Sequence, residues 1–414
     1  MRILIYSLNF SPELTGTGKY SGEMAKWLAE RGHEVRVVTA PPYYPQWRIQ
    51  DGYSRVCYKK ERLAYKQNHG MKIWRCPLWV PQRPGGIKRL LHLASFSGSS
   101  APVALIQAQW KPDLIFAVEP TLMAAPWALL AARAGGAKTW LHIQDFELDA
   151  AFGLGLLQFP GIKKAAFAVE SRFLRSFDRV SSISEKMLEK LWEKGVEKEQ
   201  TVLFPNWVDT GKIYPLERKS VLREQLDLPD DAVVALYAGN MGEKQGLELL
   251  VEAARMLQGD PHIQFVFAGA GNARPRIEKM TENLPNVRWL PLQPEDRLNE
   301  LLNLADIHLL PQRPDAADLV MPSKLTGMLA SGRAVLACAE PSTQIGKIVE
   351  ECGTIVSPGN AELLAEKANE LAMNDERRRE LGRKARAYAE RFIGYEAVMS
   401  RFQKEIIKIK KYHP

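Results

Sequence analysis

Two lysines stand where lysine does chemistry on anions. Lys324 sits in VMPSKLTGMLASGRAVL (residues 320–336), directly after the strand-like run 306–311. A helix opening there presents unpaired backbone N–H groups and a positive dipole end, which Pro322 pre-shapes and Lys324 reinforces. Pro322, Ser323, Lys324 and Leu325 therefore form a candidate phosphate site. Lys244 lies in LYAGNMGEKQGL (residues 236–247), a second strand exit that turns through Gly239 and Asn240 before the next helix. Two such exits, each with backbone amides and one lysine, would grip a diphosphate from two sides. A solvated helix start explains either lysine alone, and the pair is harder to dismiss in that way.

A third glycine-rich turn follows the first strand, NFSPELTGTGKYSG (residues 9–22). It is not a Walker A loop, because Glu13 stands where the first glycine is needed and Tyr20 follows Lys19. Ser21 in place of a third glycine also breaks the dinucleotide fingerprint, which removes the main support for hydride transfer. What remains is a flexible loop, residues 15–19, in which Gly16, Thr17 and Gly18 let backbone amides approach an anion ahead of a helix.

His142 closes a strand in HIQD, with Asp145, Glu147 and Asp149 just beyond it. A strand-end histidine is either a structurally satisfied one or a group facing the ligand, and the acidic residues could cap the next helix. No Asp-x-Asp pair falls in a strand-turn context, so a divalent cation held by two carboxylates is not expected. Gly269 and Gly271 follow the strand HIQFVFAG and could admit a nucleoside, and a base pocket is expected around residues 288–293, near Leu292.

These residues are positioned by short apolar runs that alternate with amphipathic helical stretches. The strand candidates are residues 3–8, 35–39, 114–118, 139–143 and 179–183 in the first half, then 233–237, 263–268, 287–290, 307–310 and 334–337. Continuous apolar strands of this kind indicate parallel sheets covered on both faces, an α/β chain. The turn-rich FPNWVDTGKIYP (residues 204–215) interrupts the alternation and is taken as the boundary between two doubly wound domains facing a cleft. Ligands of such sheets bind beyond the carboxyl ends of strands, where the glycine turns and lysines fall.

At 414 residues, 46% hydrophobic and 25% charged, the chain has the length of two globular domains and ordinary globular composition. The net charge of +8 is uneven. Residues 1–195 carry 27 Lys and Arg against 16 Asp and Glu, and residues 55–89 hold ten basic residues against Glu61 alone. A basic face suits an anionic partner, here the inner face of a membrane, because IKRLLHLASFSGSSAPVALIQAQW (residues 87–110) follows with an apolar helical pattern. A known nucleic-acid motif is lacking, so nucleic acid is not expected. Four cysteines without C-x-x-C spacing indicate neither a metal site nor a disulfide framework. No secretory leader or membrane span is read, so a cytoplasmic, peripheral protein is expected.

In this order, the residues resemble the retaining glycosyltransferases of the glycogen synthase-like family four, which have the GT-B fold. The resemblance runs through the opening Gly-x-Gly, GHEV (32–35), HIQD (142–145), NWVD (206–209), the turn 239–246, Gly269 to Gly271, Ala305-Asp306 and Ala330-Ser331-Gly332. Within the family, TAPPYYPQW (39–47), HIQDFELDA, FPNW, GEKQGLE and LPQRPDAADLVMPSKLT are similar to colanic acid biosynthesis glycosyltransferases, a group assigned as fucosyltransferases acting on a lipid-linked oligosaccharide.

The resemblance implies an acceptor-binding Rossmann-like domain over 1–204, a donor-binding one over 205–390, and a C-terminal helix, 391–414, crossing back to the first. It implies a nucleotide-sugar donor, GDP-fucose, an undecaprenyl-diphosphate-linked oligosaccharide acceptor, retention of configuration, and no cofactor or metal. His142, Asp145, Lys244 and Lys324 take the catalytic positions. Gly16, Thr17, Gly18, Gly239, Asn240, Lys244, Gly269, Gly271, Leu292, Pro322, Ser323, Lys324 and Leu325 take those around the nucleotide. Two departures stand out: Asn240 occupies the family's phosphate-loop arginine position, and its paired glutamates fall on Leu319 and Gly327, so the ribose contact is absent or supplied by another residue, with Lys324 carrying more of the charge in compensation. A sugar-nucleotide epimerase of the same fold, a transferase using another donor such as UDP-GlcNAc, and a non-enzymatic binding module remain as rival readings.

Overall fold

The computed structural model describes the chain except residues 15, 66–67, 83–84, 121, 154–159, 243–244, 313–322 and 412–414. Contacts divide it into two units, residues 1–205 with 399–414, and residues 206–398. The division falls inside the turn-rich FPNWVDTGKIYP segment.

The first unit is built on β1 (Arg2–Ser7), β2 (Glu34–Thr39), β3 (Lys59–Tyr65), β4 (Asn68–Arg75), β5 (Leu114–Glu119), β6 (Lys138–Ile143), β7 (Arg179–Ser182) and β8 (Thr201–Leu203). They lie in the order β3-β4-β2-β1-β5-β6-β7-β8, and every pairing except β3 with β4 is parallel. The second unit holds β9 (Val233–Ala238), β10 (Ile263–Ala268), β11 (Val287–Leu290), β12 (Ile307–Leu310), β13 (Ala334–Cys338) and β14 (Thr354–Val356), all parallel, in the order β11-β10-β9-β12-β13-β14.

Alternation along β9 and β10 explains why their apolar runs are continuous. Val233, Ala235, Tyr237, Phe265 and Phe267 enter one core layer, while Val234, Leu236 and Val266 enter the other with Leu222, Leu301 and Leu304. With period 2 and both faces covered, each Val, Leu or Phe among them contributes about 1.5–3 kcal/mol by burial.

Two departures from expectation stand out, the unread strands and the turn after β1. The β3–β4 hairpin, β8 and β14 were not read from sequence: β3 is the charged KKERLAY, and β8 and β14 are only three residues long. Residues 16–19 are not a flexible loop but the first turn of the helix Gly16–Glu30, because Gly18 packs against a buried Glu13 and leaves the turn no slack. β5 is followed by a short turn of 3-10 helix, Leu122–Ala124, and then by the helix Ala125–Gly135. The last helix, Tyr395–Lys411, sends Phe402 into the first unit's core, with ring centroids 5.3 Å from Phe116, 5.1 Å from Trp140 and 4.3 Å from Phe204. Among the described residues, no helix is long and apolar enough to cross a membrane.

In each sheet the strand order reverses once near the middle, between β1 and β5 and between β9 and β12. Adjacent loops part at those points, and the carboxyl ends of the flanking strands open a crevice there.

Candidate functional site

In the second unit the switch point is built around Lys324. The helix Ser323–Ala330 follows β12 and buries Leu325, Met328, Leu329 and Ala330, which leaves Ser323 exposed and Lys324 and Gly327 half-buried. Lys324 Nζ donates to Gln245 Oε1 at 2.6 Å and lies 4.8 Å from the centre of the Tyr237 ring. Tyr237 is the next-to-last residue of β9, and its hydroxyl donates to the Asn240 carbonyl at 2.6 Å, fixing the turn that carries Gly239 and Asn240. A Cβ at Gly239, whose φ is +143°, would lie 3.7 Å from Lys324 Cδ. A cation beside the N-terminal amides of its own helix has the chemistry to take phosphate oxygens, which makes this a candidate phosphate site.

The structure therefore brings Gly239, Asn240, Ser323 and Lys324 together. Lys244 and Pro322 lie outside the described residues. Leu325 is fully buried, so only its backbone is available to a ligand. Leu292 is 70% exposed on the loop after β11. Gly269 and Gly271 adjoin the β9 turn for a backbone reason: a Cβ at Gly269 would meet the Gly239 carbonyl oxygen at 2.0 Å, and one at Gly271 the Met241 oxygen at 2.3 Å. The two turns are zipped by Gly239 N–H to Ala268 O at 3.0 Å and Met241 N–H to Ala270 O at 2.9 Å. The room these glycines provide is filled by the neighbouring turn rather than left for a nucleoside.

In the first unit the turn after β1 is organised by Glu13. Its Oε1 accepts from the Tyr43 and Tyr44 amides at 2.9 and 3.0 Å, and its Oε2 accepts from Asn9 Nδ2 at 3.0 Å. A Cβ at Gly18 would fall 2.4 Å from Glu13 Oε2, so glycine is needed there. Burial raises the Glu13 carboxyl above its ordinary value, against the lowering effect of the two amides, Asn9 and Arg75. Gly16, Thr17 and Gly18 supply the first-turn N–H groups, free of intrahelical partners by position.

His142 is buried at the end of β6. Nδ1 lies 2.9 Å from Ser181 Oγ and Nε2 lies 2.9 Å from Gln144 Nε2, while Phe116 and Phe204 pack at 5.9 and 5.0 Å between ring centroids. Burial pulls its pKa down to about 3, so the ring is neutral in any physiological buffer. Both nitrogens are engaged within the unit, and Gln144 stands between the ring and whatever approaches β6. Asp145 is exposed beyond it.

The neighbouring carboxylates do not cap their own helix. Glu147 Oε2 accepts from the Leu122 amide at 3.1 Å, and Asp149 pairs with Lys190 and Lys194 at 2.7 and 2.8 Å. Lys194 also pairs with the buried Glu170. Burial pushes Glu147 up to about 7 and lifts the fully buried Glu119 well above the usual carboxylate range.

Sequence reasoning did not single out Glu13, Tyr237 or Gln245. Gln245 lay inside the GEKQGLE motif, and Glu13 was visible as the residue that spoiled a phosphate loop, but their partners are set by tertiary contacts. The basic stretch also shrinks: Arg75 is 2% exposed and fixed by Glu61, the Ala40 carbonyl and the Ser11 carbonyl, so it adds nothing to a surface field.

Two doubly wound units in one chain, each with a mostly parallel sheet and one switch point near its middle, are the layout of the GT-B fold. Residues 15–207 match the model of the glycosyl transferase 4-like domain, and residues 218–388 that of glycosyl transferases group 1. The chain is 45% identical to WcaI of Escherichia coli K12, provisionally assigned as a colanic acid biosynthesis glycosyl transferase, over 98% of this chain and 100% of that one. Among solved structures, sucrose-phosphate synthase of Thermosynechococcus elongatus matches with a TM-score of 0.70 at 18% identity, covering 100% of both chains. HepE of Anabaena in complex with UDP matches at 0.69 and 16% identity, covering 99% of this chain and 100% of that one. These structural likenesses bear on the fold. The chain belongs to the GT4-like glycosyltransferases.

Proposed function

We propose that this glycosyltransferase moves L-fucose from GDP-fucose, with retention, onto an undecaprenyl-diphosphate-linked oligosaccharide in the synthesis of a colanic acid-like exopolysaccharide. The observation that carries the donor half is the Lys324, Gln245 and Tyr237 arrangement at the second unit's switch point. The WcaI relative's assignment to colanic acid biosynthesis supports the pathway class.

As the bond between the sugar C1 and the phosphate oxygen breaks, the sugar becomes oxocarbenium-like and negative charge collects on the nucleoside diphosphate. Lys324, Lys244 and the amides at Ser323 stabilise that charge more than they stabilise the intact donor, which is what lowers the barrier. The Gly16 to Gly18 amides are the first unit's candidates for the same chemistry. The acceptor oxygen adds to C1 on the same face, and its proton passes to the departing phosphate oxygen. No protein base and no divalent cation is required in this scheme. His142, neutral and locked, orients Gln144 toward the sugar rather than exchanging protons, and Asp145 receives a sugar hydroxyl.

The acceptor's lipid places the reaction at a cytoplasmic membrane surface. Arg55, Lys59, Lys60, Arg62 and Lys88 are exposed, and Val56, Tyr58, Trp79, Ile87 and Leu91 are exposed among them in sequence. Such a mixture suits peripheral docking on anionic lipid, at about 1 kcal/mol for each cation close to the surface.

Calorimetry against GDP, UDP and ADP and their common sugars tests the donor. GDP-fucose is expected to bind best, and clear selectivity for a uridine nucleotide refutes that assignment. The anomeric proton coupling of the product reports retention, and turnover in excess chelator reports metal independence. Flotation with neutral and anionic vesicles tests docking, and equal binding to both removes its electrostatic part.

A further inference from the structure

The aromatic loop between β2 and β3 is not accounted for by donor chemistry. Tyr43 is buried, and its backbone amide is held by Glu13. Its ring meets Trp47 edge-on at 5.5 Å and His92 at 4.8 Å, and Trp47 and His92 lie 5.2 Å apart, so the three rings form one cluster. Trp47 is half-buried and holds a φ of 52°, a left-handed conformation that a bulky residue seldom adopts without a reason.

His92 supplies a second observation. Its Nδ1 lies 2.7 Å from the Trp79 carbonyl oxygen, and because a carbonyl only accepts, Nδ1 carries the proton and Nε2 keeps a bare lone pair. That Nε2 is buried without a donor, on a residue only 1% exposed. An unmet buried acceptor is costly unless something arrives to satisfy it.

Around this cluster the charges balance. Arg89, one helical turn before His92 on the helix Gly86–Gln107, acts electrostatically on His92, Tyr43, Asp145 and Glu147 and has no hydrogen-bond or ion-pair partner among the described residues. A guanidinium fork and the exposed carboxylate of Asp145 offer donors and an acceptor without favouring an anion. Ring faces meet the weakly positive C–H face of a pyranose, while hydroxyls meet the polar groups.

We propose that Tyr43, Trp47 and His92, with Arg89 and Asp145 at the rim, form the subsite for a neutral pyranose ring of the carbohydrate acceptor. The subsite rests on the reading of the chain as a transferase with a sugar-bearing acceptor. The ring stacks on Trp47, one hydroxyl donates to His92 Nε2, and Arg89 and Asp145 take neighbouring oxygens. Glu13 is the positioning residue: one carboxylate ties the Tyr43 and Tyr44 amides to the start of the helix Gly16–Glu30, where Gly18 makes room for it. The acceptor loop and the first-turn amides are thereby held in a fixed relation.

Saturation-transfer NMR with methyl glycosides of glucose, galactose and fucose tests the subsite on the full chain, with thermal shifts by GDP and UDP measured in parallel. The wild type should show transfer to at least one glycoside. Trp47→Ala and Arg89→Met should weaken that binding by about fivefold or more, and Trp47→Tyr should retain most of it. Their nucleotide shifts should match the wild type's, which also reports folding of these half-exposed variants. No transfer in the wild type, or undiminished transfer in Trp47→Ala, overturns the proposal and leaves the donor reading standing. Glycoside binding lost in both variants with melting temperatures at the wild-type value, in a protein whose wild type gives no nucleotide shift, supports the subsite and counts against the donor site.

Discussion

Replacing Lys324 by alanine removes a half-buried cation from the β9/β12 switch point. Its ammonium is held 2.6 Å from Gln245 Oε1 and 4.8 Å from the Tyr237 ring, so it already points where a diphosphate would collect charge. Two unit charges about 4 Å apart interact by roughly 4 kcal/mol at an effective dielectric near 20. Only the part that grows between bound donor and transition state changes the chemical step, which leaves about 2–4 kcal/mol, or about 30-fold to 1000-fold in rate. Folding should respond modestly, since the residue is half-buried and its hydrogen bond to Gln245 and its contact with the Tyr237 ring are each worth about 1 kcal/mol. The assay is release of nucleoside diphosphate from saturating donor and fixed acceptor, with nucleotide affinity measured separately by calorimetry. A Lys324→Ala protein that turns over at the parent rate refutes the phosphate-grip reasoning. Lys324→Arg should recover part of the rate, because it keeps the charge but presents a wider, planar head.

Gly271→Ala should destabilise the second unit by about 3 kcal/mol or more, since its Cβ would fall 2.3 Å from the Met241 carbonyl oxygen, and backbone cannot move aside cheaply; the melting temperature checks it. Glu147→Gln should flatten the pH dependence of stability. Burial lifts the folded carboxyl to about 7 from an unfolded value near 4.5, so between those values the native state binds more protons than the unfolded chain. Stability therefore falls as pH rises from about 4.5 to about 7, by at most about 3 kcal/mol, and Gln, which still offers Leu122 an oxygen, should be the more stable protein at pH 8. A variant whose urea midpoint keeps the parent's slope over that range contradicts the assignment.

The sheets were legible because their central strands are apolar on both faces, and a run such as VVALYA cannot be buried on one side only. Positions of the glycine turns and of Lys324 followed from strand ends. What could not be read was anything set by contact across the fold. KKERLAY shows no apolar run, since as an edge strand it presents its lysines to water. Arg75 and Glu13 look like surface charges in sequence, yet each is buried and held by backbone groups from distant segments. Gly269 and Gly271 suggested space for a nucleoside, whereas two turns approach closely there. The His142 prospect was ambiguous from spacing alone, and only the Ser181 and Gln144 contacts reveal that neither nitrogen is offered outward.

The glycine at 327 sharpens the argument about Lys324. It lies on the same half-buried helix face, three residues beyond the lysine, where relatives in the resemblance carry the ribose-holding glutamate. A Cβ there would meet Leu302 Cδ1 at 3.1 Å, which a methyl group can relieve by moving a few tenths of an ångström. A glutamate at this spacing would pair with Lys324 across one turn, at about 0.2–0.5 kcal/mol for an accessible pair, and draw it from the phosphate. Gly327→Glu should therefore tighten nucleotide binding through the ribose while lowering kcat by about twofold, the two effects moving in opposite directions. Parallel measurement of nucleotide affinity and kcat decides it. If kcat rises together with affinity, a carboxylate beside Lys324 does not weaken its hold on the departing diphosphate, and that charge is met elsewhere.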